Sequence, residues 1–345
     1  MSTVDEQSGS LSGSAVGDSS GVPVGERRTD AVRAYLPIAV AAALAALVPI
    51  RYDDSRSMMG VVTVGVLFAC YAVAFNIIFG STGQLFLCSG ALAGIGGYGS
   101  AILADRSGWP IVPALILSAV VSATVAAVLS WVAVRRALDT IFIGIVTIAF
   151  ALSFENLILG KGDWTGGESG LRVSAGSDSW FNGQVWPYYL FLGLLVVYLV
   201  IYRALQRSRI GWAFRALRDD GLAAELSGVD VARYRILAGF LGGGMLGLAG
   251  GMYVLTESRV SPSTFEFGNV DVSVLVMLAF GGIGSLLGPV VGAAAFTWLD
   301  QVLEALGYAQ AREVIYGIVV ISLFLGFRRG IVPAVVDMFA RRRPK

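Results

Sequence analysis

Histidine is absent from all 345 residues, which excludes a Ser-His nucleophile, a His-ligated metal and a histidine proton relay. Lysine occurs only at Lys161 and Lys345. With no Gly-x-x-x-x-Gly-Lys-Ser/Thr anywhere, the chain has no phosphate-cradling loop with which to bind and hydrolyse ATP itself. Cysteine occurs twice, at Cys70 and Cys88; both lie in apolar segments without metal-ligand spacing and read as small core residues. Charge is scarce as well. Charged residues make up 14% of the chain and hydrophobic residues 56%, whereas an ordinary soluble domain is about a quarter charged. That is more apolar surface than a soluble fold can bury, so the chain reads as a polytopic membrane protein. Its net charge of +1, with the arginines at the ends of apolar runs rather than along one face, argues against a nucleic-acid partner.

The apolar runs define an all-α, polytopic transmembrane helical bundle of about ten spans. These lie near 34–50, 58–79, 84–104, 110–134, 138–160, 188–204, 236–256, 270–283, 287–304 and 312–327. Residues 1–30 are rich in Ser, Gly, Val and Asp and are read as a disordered cytoplasmic tail without the pattern of a cleavable signal peptide. Residues 31–330 form the transmembrane domain, and 331–345 a basic C-terminal tail. Starting inside, ten crossings place Arg135 and Arg136, the arginine-rich 205–235 loop, Arg328, Arg329 and Arg341 to Arg343 on the cytoplasmic side. Nine crossings would leave the basic C-terminus outside. The segment 269–304 is therefore expected to be interrupted, and Gly281, Gly282, Gly284, Gly288 and Pro289 mark where.

Two readings of that break stand side by side. Interrupted helices in transporters often border the substrate path, and unwound backbone at membrane depth is tolerated only against protein or a watery cavity. Alternatively, the Gly284, Gly288, Gly292 spacing, like Gly90 and Gly94, is a small-residue face for close helix packing. For Gly90, Gly94, Gly96, Gly97 and the glycines from 242 to 251, packing is the favoured reading. Glu155, Asp300 and Glu304 are acidic groups near span ends, either functional or simply reaching water. No carboxylate is expected near the centre of a span, where a proton-coupled carrier would need one.

The most informative stretch runs from Leu205 to Tyr253. Its first half sets six arginines against Asp219, Asp220, Glu225 and Asp230, with Trp212, Phe214, Leu217, Leu222 and Leu226 between them. Such a water-exposed, partly helical insert either lies on anionic headgroups or docks a soluble partner. Leu222-Ala223-Ala224-x-x-x-Gly228 resembles the Glu-Ala-Ala-x-x-x-Gly loop with which permeases of ATP-driven importers dock on their ATPases, although Leu222 replaces the leading Glu. The surrounding text, together with 145–170 and 278–292, resembles the LivM-like permease subunits of branched-chain amino-acid ABC importers across roughly 61–326.

That resemblance implies a non-enzymatic transport subunit in the cell membrane, with both termini cytoplasmic and no cofactor of its own. ATP would be bound by two separate ATPase subunits. A homologous second permease, an extracytoplasmic solute-binding protein and membrane lipid would be its other partners. Trp212, Phe214, Arg215, Leu217, Arg218, Leu222, Ala223, Ala224 and Gly228 would form the ATPase-coupling helix, with Gly228 ending it in a left-handed turn. The Trp164-Thr165-Gly166-Gly167 stretch matches an outer loop of the same family and is expected at the docking surface of the binding protein. Branched-chain amino acids are the implied solutes, with urea or another small solute as the alternative. A secondary carrier working alone is the competing class.

Overall fold

The computed structural model describes residues 24–49, 56–173 and 185–307, with 314, 317 and 318. Eleven main helices occupy these residues: α1 Val24–Ala46, α2 Arg56–Phe75, α3 Ser89–Ala101, α4 Ile111–Arg135, α5 Thr140–Gly160, α6 Trp186–Arg207, α7 Arg209–Asp219, α8 Gly221–Leu226, α9 Val231–Glu257, α10 Phe267–Gly281 and α11 Gly288–Ala305. Five-residue π turns extend α2 over Asn76–Gly80 and α3 over Ile102–Arg106.

Six stretches, Ser57–Gly80, Ile111–Arg135, Thr140–Gly160, Trp186–Arg207, Val231–Glu257 and Pro262–Gly281, are long and apolar enough to cross a bilayer. Helices also occupy three further expected positions, as α1, α3 and α11. In α1 the apolar run covers only Tyr35–Ala46. The tenth expected position, 312–327, falls almost wholly outside the described residues, as do the C-terminal tail and residues 1–23. Within the expected tail, residues from Val24 onward are already helical.

Glycine sets how closely the central helices approach. Along α9, Gly239, Gly243 and Gly247 face Ser130, Ala126 and Ser122 of α4 in turn, so the two helices run antiparallel. Gly96 of α3 sits so close to the Gly247 carbonyl that any Cβ would overlap it, and Gly250 meets Ala93 in the same way. Small residues thus allow backbone contact where no hydrophobic drive exists between helices, and the packing reading of these glycines describes them. The Ser122 hydroxyl reaches the carbonyls of Leu92 and Gly243 at 2.8 and 2.9 Å, tying α3, α4 and α9 at one level. Tyr198 on α6 reaches the Met245 carbonyl, and Tyr188 reaches Ala45, at 2.5 and 2.6 Å.

This packing sorts the connections to two ends. Arg135, Arg136, the start of α5, the end of α2, α7 and α8 gather at a basic end. At the opposite end, Leu171–Arg172 pairs antiparallel with Arg259–Val260, which joins two connections into one platform. Arg106 donates to the Asp163 carbonyl at 2.7 Å there, beneath an exposed Trp164.

The interruption between 269 and 304 exists, and it is a helical hairpin. Gly281 packs on the carbonyl of Gly288, and Gly292 on that of Met277, so α10 and α11 run antiparallel in backbone contact. Its turn, with Gly282 and Gly284 at positive φ, lies against Arg218 at the basic end of the bundle rather than in its middle. The unwound backbone at depth is elsewhere. The expected span 84–104 begins not as a helix but as non-helical chain over residues 83–88.

Candidate functional site

Two regions of the described residues depart from continuous helix, and the first is the loop at the basic end. Each short helix there is capped from its own sequence. Ser208 precedes α7 and accepts from the Gly211 N–H at 3.4 Å. Asp220 caps α8 by accepting from the N–H groups of Leu222 and Ala223 at 2.9 and 3.1 Å, and Asp230 caps α9 through Arg233 at 3.0 Å. Short polar side chains at these positions satisfy donors that a helix start leaves open. Gly228 closes α8 with φ +85°. The Val229 N–H then reaches the Ala224 carbonyl and the Gly228 N–H reaches Glu225, the paired bonds of a glycine-terminated helix.

The expected coupling residues divide into two sets. Trp212 is 71% exposed and Leu222 69%; Arg215, Arg218 and Ala223 are also exposed. Phe214 and Leu217 are only 4% and 3% exposed, and Ala224 is buried too. Phe214 packs edge-on against Tyr234 at the start of α9, ring centres 6.2 Å apart. Phe214 and Leu217 therefore cannot fill a partner's groove as expected, because they hold α7 onto the bundle. Leu226, 83% exposed, joins the outward surface in their place. Arg215 stacks over Trp212 at 4.5 Å, keeping the indole outward.

Beneath this surface lies a cavity of about 120 Å³ lined by Gly80, Ser81, Tyr202, Gln206, Phe214, Arg215 and Arg218. One wall of the same junction is the hairpin turn. Asn76, fully buried in the π turn, donates to the Ser285 carbonyl at 3.0 Å and accepts from the Gly284 N–H at 2.8 Å. Arg218 donates to the Ile283 carbonyl at 3.4 Å, and Gln206 to Gly284 at the same distance. Gly284, at φ +77°, lies flush against the Arg218 guanidinium with no room for a Cβ. Of the expected pathway residues, Gly281, Gly282, Gly288 and Pro289 are buried in the hairpin contact.

The second region is the unwound segment. Gln84, Phe86 and Cys88 are buried while Gly83, Leu85 and Leu87 are half-buried, the alternation of a strand. Its backbone groups would be orphaned in lipid, yet α5 supplies partners. Thr147 accepts from the Leu87 N–H at 3.0 Å, and Thr140 donates to the Gly83 carbonyl at 3.3 Å. Gln84 crosses to the Arg235 carbonyl at 3.0 Å. The chain then turns into α3 about one turn from Ser122, which is midway along α4, so this helix starts in the middle of the bundle.

Asp271 meets it there. Its carboxylate accepts from the backbone N–H groups of Ser89 and Gly90, and only 2% of the residue is exposed. A negative charge on the open donors at a helix start is favourable both by hydrogen bonding and by the helix dipole. This overturns the expectation that no carboxylate lies deep in the bundle. Glu155 and Asp300 are half-buried and Glu304 exposed, as expected of groups near span ends. The missed signals were Ser81-Thr82-Gly83-Gln84, four polar or small residues inside an apolar run, and an Asp four residues into α10.

A family profile described as branched-chain amino acid transport system permease component matches residues 57–324. A LivM permease of the high-affinity branched-chain amino acid system from Salmonella typhimurium is 26% identical over 265 residues, covering 69% of this chain and 62% of its own length. The LivH permease of Escherichia coli is 22% identical over 303 residues, covering 80% of this chain and 94% of its own length. The ribose import permease RbsC of Escherichia coli is 30% identical over 132 residues, 37% of this chain and 41% of its own length. No solved structure matches.

Proposed function

This chain belongs to the family of branched-chain amino acid transport system permease components, and from that membership we propose that it is the membrane-spanning permease of an ATP-binding-cassette importer. Its solutes would be branched-chain amino acids, crossing the cell membrane through about ten spans with both termini cytoplasmic. Similarity to both LivM and LivH relatives supports pairing with a second permease of the same family. Two cytoplasmic ATPases would supply the energy, and a solute-binding protein would dock on the outer platform around Trp164.

The observation that carries this reading is the pairing of exposure and support at the basic end. Trp212, Leu222 and Leu226 project outward from two short helices whose inner faces, Phe214, Leu217 and Ala224, are buried. A large exposed apolar surface held on a capped, rigid base is costly unless a partner covers it, and Arg215 and Arg218 rim it with charge. Headgroup binding would instead favour apolar groups seated beneath a lysine- and arginine-rich face.

A secondary carrier gains one argument from Asp271, a carboxylate at mid-bundle. Its oxygens, however, are engaged by Ser89 and Gly90, leaving it a structural partner inside the chain. Urea or another small solute would suit the same architecture, since the binding protein would select it.

Both questions are decided by one preparation. Trp212→Ser combined with Leu226→Ser should leave the chain inserted while abolishing its co-purification with the ATPases, each buried aromatic or aliphatic anchor contributing about 2 kcal/mol to such an interface. Undiminished ATPase capture by that variant removes the docking surface. Solute uptake by the purified chain alone in liposomes would establish the carrier instead, and competition for uptake among leucine, isoleucine, valine and urea assigns the solute.

A further inference from the structure

One element touches both regions. The hairpin turn at the foot of α10 is gripped from three sides: by Asn76 of the α2 π turn, by Gln206 at the end of α6 and by Arg218 of α7. Ten residues before Gly281 on the same helix, Asp271 holds the Ser89 and Gly90 N–H groups, about 15 Å away along the helix axis. Between the two points α10 is backed by α11 in direct backbone contact, Met277 on Gly292 and Gly281 on Gly288. Closely packed, small-residue contacts of this kind resist bending and transmit displacement.

We propose that α10 is a transmission rod, with Arg218 linking the coupling surface to its foot, Asn76 clamping that foot to α2, and Asp271 positioning the α3 N-terminus at its other end. Its functional meaning rests on the importer reading. Movement of α7 would shift the turn, because Arg218 bonds the Ile283 carbonyl and the buried Asn76 clamps both Gly284 and Ser285. A shift along α10 would carry the Asp271 carboxylate away from the only helix start in the middle of the bundle among the described residues. Between the Gly83 N–H, which still bonds the Phe79 carbonyl, and the Cys88 carbonyl, which accepts from Leu92, residues 84–87 are not helical, so they can follow α3 by changing partners on α5. Arg218 and Asp271 are positioning residues in this scheme; neither needs to touch solute.

Cys88, fully buried and immediately before Ser89, provides a native reporter. In the full chain with Cys70→Ala, reconstituted in lipid nanodiscs, the rate of Cys88 modification by N-ethylmaleimide measures how tightly the α3 start is held. Asp271→Asn should raise that rate, and because the Asp271 carboxylate also lies close enough to act on the Cys88 thiol electrostatically, the deciding variants are those at the far end of the rod. Arg218→Ala and Asn76→Ala, at the far end of the rod, should raise it too, and Arg218→Lys should restore it. Arg215→Ala, on the same short helix but stacked on Trp212, should leave it unchanged. Combining Arg218→Ala with Asp271→Asn should give no more than the larger single effect, the signature of residues acting through one element. Wild-type rates in both Arg218→Ala and Asn76→Ala, an equal rise in Arg215→Ala, or multiplicative effects in the double variant would each overturn the rod. No ATPase is needed, so a negative result here leaves the importer reading standing, and failure of ATPase capture leaves the rod standing.

Discussion

The loop from Ser208 to Asp230 and the segment from Gly83 to Gly90 are both departures from continuous helix, and they solve the resulting hydrogen-bond problem in opposite ways. In the loop, the caps are neighbours in sequence: Ser208, Asp220, Asp230 and Gly228 each serve a helix end within three residues or the turn they close. In the segment, the partners come from far along the chain. Thr147 is 60 residues from Leu87, and Asp271 is 182 residues from Ser89. The loop can therefore leave Trp212, Leu222 and Leu226 exposed, because its backbone does not depend on the bundle. The segment cannot exist outside it. A surface element built from local bonds is suited to meeting a partner, while an unwound backbone at depth is stable only as long as α5 and α10 stay in place.

Breaking the distant partnership should therefore cost most. Gly90→Val places a side chain against the Phe265 carbonyl, the Asp271 carboxylate at 3.1 Å and Val270 at 3.2 Å. We expect a loss on the order of 3 kcal/mol, read as early exposure of the native thiols of Cys70 and Cys88 during heating in detergent. A chain that melts as wild type would mean the α3 start is not packed as described. Thr147→Val, which removes the acceptor for Leu87 while keeping shape, should cost about 1 kcal/mol, since polar contacts between membrane helices are individually modest. Ser153→Ala on the same helix, whose hydroxyl bonds only the Ala149 carbonyl one turn back, is the control that should not shift the melt. The smallest effect belongs to the loop. Leu226→Ser should change the stability of the isolated chain by no more than about 0.5 kcal/mol, although it is part of the surface proposed to hold an ATPase. A large destabilisation by Leu226→Ser would show that the loop surface is already covered by its own chain, and the contrast between the two regions would disappear.

Much of this protein was legible in order along the chain. The apolar runs and the arginines at their ends identify a helical membrane protein with a basic end, because bilayer thickness and charge cost act on each segment separately. The turn at Gly228 follows from local backbone chemistry in the same way, whereas Asp220 and Asp230 read only as charges in the sequence and the structure shows them capping α8 and α9. Tertiary structure alone decided which face of the loop looks outward. Trp212 and Phe214, two residues apart on α7, point to opposite sides of that helix, and the packing of Phe214 against Tyr234 shows which of them faces inward. It also turned the Gly281 to Pro289 break into a hairpin foot, since backbone contact between α10 and α11 is a property of the pair. Finally, it set Asp271 on the α3 N-terminus. A carboxylate and two N–H groups so far apart in sequence have no local signature, and the bond between them forms because Gly90 lets the start of α3 approach α10 closely enough for the charge to be buried with its partners already in hand.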